Sequence, residues 1–205
     1  MASVPRLVIA SRNRGKLREM ERIFKALAPQ ASLELVSADE VGLPEIAETG
    51  SSFLENARLK ALAAAQWTGC LSLGEDSGLE VDALSGEPGV RSHRFSGTGD
   101  DLDNNVLLLK RLEGIPPHLR TARYTCAIVL ADSQGVVAEA EGTVEGVIVE
   151  EMSGANGFGY DPLFYSTELG KTMGEASDSE KDSVSHRRRA LERVLPALLR
   201  YLETR

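Results

Sequence analysis

Apolar positions in this chain come in two periods, and the places where one gives way to the other mark its elements. Arg6-Leu-Val-Ile-Ala10 is a strand-like run, followed by the polar loop Ser11-Arg12-Asn13-Arg14-Gly15-Lys16 and a helical pattern through Leu27. Residues 33–36 read as a second strand, and an irregular acidic loop from Asp39 to Gly50 carries Glu45 and Glu48. Ser52-Phe-Leu-Glu55 has capping-box spacing and opens a helix whose apolar face is Phe53, Leu54, Ala57, Ala61, Ala64 and Ala65, with Lys60 on another face. Cys70-Leu-Ser-Leu73 predicts a short buried strand ending in a turn, and residues 79–83 a continuation. Residues 101–112 predict a helix with Val106, Leu107 and Leu109 inward. Residues 122–131 and 136–149 are β-like, and Asp132-Ser-Gln-Gly135 between them reads as a hairpin turn. The last pattern, residues 184–201, is a helix with Leu191, Val194, Leu195, Leu198 and Leu202 on one stripe and a kink expected at Pro196. The class is α/β with a mixed sheet.

The candidate chemistry lies where elements meet. Glu75 and Asp76 follow an apolar run between Gly74 and Gly78, on what reads as a Gly-bounded turn. Adjacent carboxylates flanked by Ser77 and Glu80 suit a hard divalent ion with oxygen ligands, Mg²⁺ first. An acidic turn alone is more often simply solvated, so the reading depends on what accompanies it. The strand-loop-helix junction at residues 11–16 supplies that company. Backbone N–H groups and the positive end of a helix dipole favour anions there, and Ser11, Arg12, Asn13, Arg14 and Lys16 add donors. The loop lacks Walker A spacing, so side chains must do more of the holding.

Charge sharpens this division. Residues 1–25 hold seven Lys/Arg against two Asp/Glu and residues 181–205 hold seven against three, while the 155 residues between hold nine against 26. The net charge of −8 argues against an extended nucleic-acid or anionic-membrane surface, whereas a small polyphosphate needs only a basic pocket. No apolar run is long enough for a membrane span or a signal-peptide core, and Cys70 and Cys126 lack metal-ligand spacing. They read as buried thiols in a reducing cytoplasm.

Two later motifs suggest base recognition. Gly154-Ala-Asn-Gly157-Phe158-Gly159-Tyr160-Asp161-Pro162 is a Gly-rich loop with two aromatic rings. Phe158, between glycines, is placed to stack on a purine; Tyr160 is as readily a core residue. Ser185-His186-Arg187, with Lys181 upstream, gathers donors at the start of the terminal helix, and purine O6 is a fitting acceptor.

Taken in order, these segments resemble the inosine triphosphate pyrophosphatase family over nearly the whole chain. The match is carried by Ala10-Ser-Arg-Asn-Arg-Gly-Lys16, Glu48-Thr-Gly50, Phe53-Leu-Glu-Asn56-Ala57, Asp76-Ser-Gly78, Gly86-Glu-Pro-Gly89-Val, Gly157-Phe-Gly-Tyr-Asp161, Gly170-Lys-Thr172 and Ser185-His-Arg187. The resemblance implies one domain over residues 1–205, with a mixed sheet flanked by helices and two lobes with an active-site cleft between them. It implies hydrolysis of ITP, dITP and XTP to the monophosphate and pyrophosphate, Mg²⁺ as cofactor, and a homodimer. Ser11, Asn13 and Lys16 would hold the triphosphate, Asp76 would be metal ligand and water activator, and Glu48 would complete the metal site. Glu75 stands where many relatives have Asp. Ser77 would contact substrate, residues 158–161 would form the specificity loop, and Lys181, His186 and Arg187 would contact phosphate and the base oxygen. A pyrophosphatase for modified pyrimidine triphosphates and a purine-nucleotide sensor without turnover stand as alternatives; three clustered carboxylates beside phosphates argue against the sensor.

Overall fold

The computed structural model describes residues 4–204. Its seven strands stand in the order β2-β1-β3-β4-β5-β6-β7 in one sheet, with β1 at Arg6–Ile9, β2 at Glu34–Ser37, β3 at Leu71–Val81, β4 at Thr121–Asp132, β5 at Gly135–Ile148, β6 at Phe164–Ser166 and β7 at Lys171–Thr172. The sheet is mixed, as expected. β1 pairs in parallel with β2 and β3, placing Leu7 beside Leu35 and Leu71, while β5, β6 and β7 pair antiparallel. The helices are α1 at Arg14–Leu27, α2 at Phe53–Thr68, α3 at Asp101–Arg111, α4 at Asp178–Val184 and α5 at His186–Glu203.

The chain packs as two compact units. Among the described residues the first comprises 4–76, Cys126–Gly142 and 187–204; the second comprises Ser77–Thr125 and Thr143–His186. Each has its own core. In the first, Leu7, Ile9, Met20, Ile23, Leu73, Ile128, Leu130, Leu191 and Leu198 are buried together; in the second, Leu79, Val81, Leu108, Tyr124, Ile148, Leu163 and Phe164 are.

The cap expected at Ser52 forms, and Asn13 supplies a second. Asn13 caps α1, its side chain accepting from Lys16 N at 3.0 Å, and Ser52 caps α2 by accepting from Glu55 N at 3.2 Å. Gly69 ends α2 in the left-handed conformation. The hairpin between β4 and β5 turns at residues 133–134, and α5 runs on through Pro196.

Three expectations are corrected. The turn predicted at residues 74–78 is absent, because β3 continues unbroken from Leu71 to Val81. Gly74 serves packing instead. A Cβ there would lie 2.0 Å from the Ala57 carbonyl oxygen and 2.6 Å from Ala61 N, so only glycine lets α2 lie this close to β3. Gly74→Ala is therefore expected to destabilise the protein by at least the ~1–3 kcal/mol typical of overpacking, read as a lower urea midpoint at unchanged slope. In α3 the buried residues are Asn104, Asn105 and Leu108; Leu109 packs against the core as expected, while Val106 is exposed. Asn104 and Asn105 can be buried there because both are hydrogen-bonded. Finally, Val184, where the terminal pattern starts, closes a separate helix, α4, which has a complete capping box at Ser177 and Glu180; Ser185 is extended and the terminal helix itself begins at His186.

Candidate active site

In a regular strand, neighbouring side chains point to opposite faces. The continuity of β3 therefore separates Glu75 from Asp76. Asp76, on one face, accepts from Asn56 Nδ2 at 3.0 Å and stands 3.4 Å from Lys60 Nζ. Lys60 also reaches Glu48 at 2.7 Å, so a single ammonium lies against two carboxylates. Asn56 and Lys60 occupy positions i and i+4 of α2 and so share a face. The other end of the Asn56 amide accepts from Gly50 N at 2.8 Å, which ties the loop bearing Glu48 to the strand bearing Asp76.

Glu75, on the opposite face, is only 2% exposed and is held by cations: Lys16 at 3.1 Å from its Oε2 and Arg187 at 3.1 Å from its Oε1. Arg187 is the largest fully buried side chain in the protein and also grips Glu19, which α1 turns inward one turn after Lys16. The Cys126 thiol donates to Glu75 Oε1 at 3.5 Å. This cluster holds three cations, Lys16, Lys60 and Arg187, against four carboxylates, Glu19, Glu48, Glu75 and Asp76.

Burial sets the protonation tendencies. It pushes the Asp76 carboxyl above its ordinary value, against the pull of Lys60 and Lys16. For Lys60, burial acts to lower the pKa, but Asp76, Glu75 and Glu48 together outweigh it and hold the ammonium charged. Burial lowers Arg187 to about 9, which still leaves it a cation at neutral pH. Burial, and then Glu75, push the Cys126 thiol well up, so it stays protonated.

The second unit holds the other group of predicted residues. Asp161, 2% exposed, accepts from Lys181 Nζ at 2.6 Å, from Phe158 N at 2.8 Å and from the Tyr124 hydroxyl at 3.4 Å. The Phe158 ring is half-buried, with Lys181 Nζ 4.5 Å from its centre. Tyr160 is buried, its hydroxyl donating to the Ser92 carbonyl at 2.8 Å, so of the two rings Phe158 alone keeps an open side. His186 is buried and lies parallel to Tyr124, ring centres 4.9 Å apart. Burial and the nearby Asp161 keep the Tyr124 hydroxyl protonated. Ser77 is half-buried on β3.

The Ham1 family model matches residues 7–197. The chain belongs to the Ham1 family. It is 48% identical over 197 residues to a dITP/XTP pyrophosphatase of Desulforamulus reducens, covering 95% of this chain and 96% of that protein. It is 43% identical over 199 residues to a dITP/XTP pyrophosphatase of Listeria monocytogenes, at 97% of each chain. Among solved structures, a HAM1 protein from Coxiella burnetii superposes with a TM-score of 0.85 at 37% identity, covering 96% of this chain and 99% of that one. The dITP/XTP pyrophosphatase from Mycobacterium abscessus gives 0.74 at 42% identity, covering 94% and 99%.

Within this Ham1-family chain the predicted site residues divide. Lys16, Glu48, Glu75, Asp76 and Arg187 come together in the first unit, and Phe158, Asp161, Lys181 and His186 in the second. Arg12 is drawn elsewhere: it bonds Asp39 at 2.8 Å and the Leu43 carbonyl, fastening the acidic loop. Arg14 is exposed at the start of α1, with Gly15 behind it, and Ser11 Oγ accepts from Asn13 N at 3.2 Å. The three-carboxylate metal set is not assembled. Among the described residues no group of three or more His, Cys, Asp or Glu is arranged to hold a metal ion, because strand alternation parts Glu75 from Asp76. Glu45 is exposed.

Asn56, Lys60 and Glu19 were missed as site residues. Lys60 lies off the apolar face of α2, yet it is only 8% exposed. The signal for it was present: an Asn and a Lys four apart among inward alanines have to be satisfied by something, and a carboxylate opposite them is the simplest partner. Glu19 offered no such signal, since its partner lies 168 residues away.

Proposed function

We propose that the chain hydrolyses non-standard purine nucleoside triphosphates, ITP, dITP and XTP, to the monophosphate and pyrophosphate, clearing them from the nucleotide pool. The observation that carries this is the buried carboxylate and cation cluster around Asp76, in a chain whose relatives, matched over nearly their whole length, bear the name dITP/XTP pyrophosphatase. Cytoplasmic location and a homodimer belong to the same proposal.

The donor set suits Mg²⁺ with a modest protein share. This ion is usually held by one or two carboxylates together with substrate phosphates and water, and Glu48 and Asp76 already surround one positive charge. These two would hold the ion; Glu75, closed off by Lys16 and Arg187, would not. The ion supplies Lewis-acid neutralisation of phosphate charge. The rest falls to the chain. Asp76 orients a water in line with the α-phosphorus and takes its proton as the new P–O bond forms and the bond to the β-bridging oxygen breaks. Lys16 offsets the charge gathering on departing pyrophosphate, with Ser11 and the Asn13 amide as further donors. Glu75 holds the Lys16 ammonium in place.

Phe158 stacks on the purine. Arg187 Nη1 and Nη2 face Glu19 and Glu75, so the donor to the 6-oxo group is assigned to His186. Adenine presents an amino donor at that position, which leaves a buried donor unpaired. Pyrophosphate release measured with Mg²⁺ is expected to be fast with ITP and XTP and about 10²-fold or more slower with ATP. EDTA is expected to stop it and added Mg²⁺ to restore it. Equal turnover of ATP would sink the base assignment, and ITP binding without release would favour the sensor.

A further inference from the structure

We propose that Asp101 and Asn105 on α3 are positioning residues for the Phe158 ring, acting through the one residue they clamp, Gly159; the inference rests on the stacking role given to Phe158 above. Gly159 N donates to Asp101 Oδ2 at 2.7 Å, and the Gly159 carbonyl accepts from Asn105 Nδ2 at 2.8 Å. Side chains one helical turn apart thus take both the donor and the acceptor of one residue.

The loop needs such a hold. Gly157 and Gly159 both have positive φ, +81° and +62°, so Phe158 sits between the two most permissive residues a backbone can have. Packing does not fix it either, because a cavity of about 190 Å³ lies beside it, lined by Leu102, Met152, Ala155 and Phe158 itself among others. On the near side Asp161 accepts from Phe158 N and carries the Lys181 that lies over the ring. The α3 clamp is the restraint on the far side.

The amide of Asn105 is oriented unambiguously. Its nitrogen also donates to the Asp101 carbonyl at 2.7 Å, so two carbonyl acceptors require the nitrogen on that side. This leaves Asn105 Oδ1 buried without a hydrogen-bond partner among the described residues. An apolar residue would bury here without an orphaned oxygen, so the position is spent on the bond to Gly159.

The test compares Asp101→Ala, Asn105→Ala and Asp101→Asn, the last keeping an oxygen acceptor for Gly159 N, in wild-type and Phe158→Ala backgrounds. Stacking serves ground and transition states alike, so the two alanine variants are expected to raise KM for ITP roughly tenfold, with kcat within about twofold of wild type. Asp101→Asn should restore a near-normal KM, and on Phe158→Ala neither alanine substitution should add more than about twofold. Unchanged KM in both alanine variants, or effects that multiply with Phe158→Ala, would overturn the proposal. If the alanine variants do not fold, hydrogen exchange at Gly159 N in the wild type decides, fast exchange being incompatible with a clamp. Failure of wild-type ITP turnover would instead strike the proposed function, with Gly159 exchange still reporting on the clamp.

Discussion

An Asp76→Asn protein is expected to release pyrophosphate from ITP about 10²–10⁴-fold more slowly than wild type, the range spanned by loss of a positioned general base. The substitution is nearly isosteric. Its amide oxygen can still accept from Asn56, and Lys60 keeps Glu48 at 2.7 Å, so the fold should survive with a melting temperature a few degrees from normal. What disappears is the negative charge that draws a cation and the basicity that burial has raised. Binding of ITP should persist, since Lys16, Phe158 and His186 are untouched. Turnover within tenfold of wild type would remove Asp76 from the reaction and direct attention to Glu48, the other carboxylate on Lys60.

The largest effect on stability is expected at Arg187. Arg187→Met keeps an unbranched apolar stem but leaves Glu19 and Glu75 buried without their shared guanidinium, and each is only 2% exposed. Breaking a buried pair in this way costs about 3–5 kcal/mol, which for a chain of this size lowers the melting temperature by about 6–20 °C. Activity should fall as well, through Glu75 and its grip on Lys16. Adding Glu19→Leu to Arg187→Met is expected to recover part of the loss, because an apolar residue then replaces one stranded charge. A single variant that melts within about 2 °C of wild type would show that the network carries no net stabilisation. Thermal unfolding followed by circular dichroism is sufficient to read either result.

The two variants separate chemistry from support. Asp76 and Arg187 lie in one cluster, yet the first should change rate at nearly constant stability and the second stability first. The reason is charge balance: Asp76 leaves behind cations that have other carboxylates, whereas Arg187 takes away the cation shared by two buried carboxylates, Glu19 and Glu75, and leaves Glu75 to Lys16.

Much was legible in the sequence alone, because local chemistry determines it. The cap at Ser52, the hairpin after Asp132 and the strands at residues 6–9 and 34–37 follow from side chains that satisfy their own neighbouring backbone or alternate along it. The motif order was likewise enough for the family. Tertiary structure decided what depends on partners far along the chain. Whether Gly74 marked a turn or a close approach depended on α2, whose backbone presses against it. That choice kept β3 straight, and a straight strand sends Glu75 and Asp76 to opposite faces, one to Arg187 and Lys16, the other to Lys60 and Asn56. No spacing rule reports the cost of burying a lysine or an arginine, since that depends on carboxylates brought in by folding. Period and caps therefore settled the longer elements, though not α4, β6 or β7, while packing and electrostatics settled which of their polar groups meet.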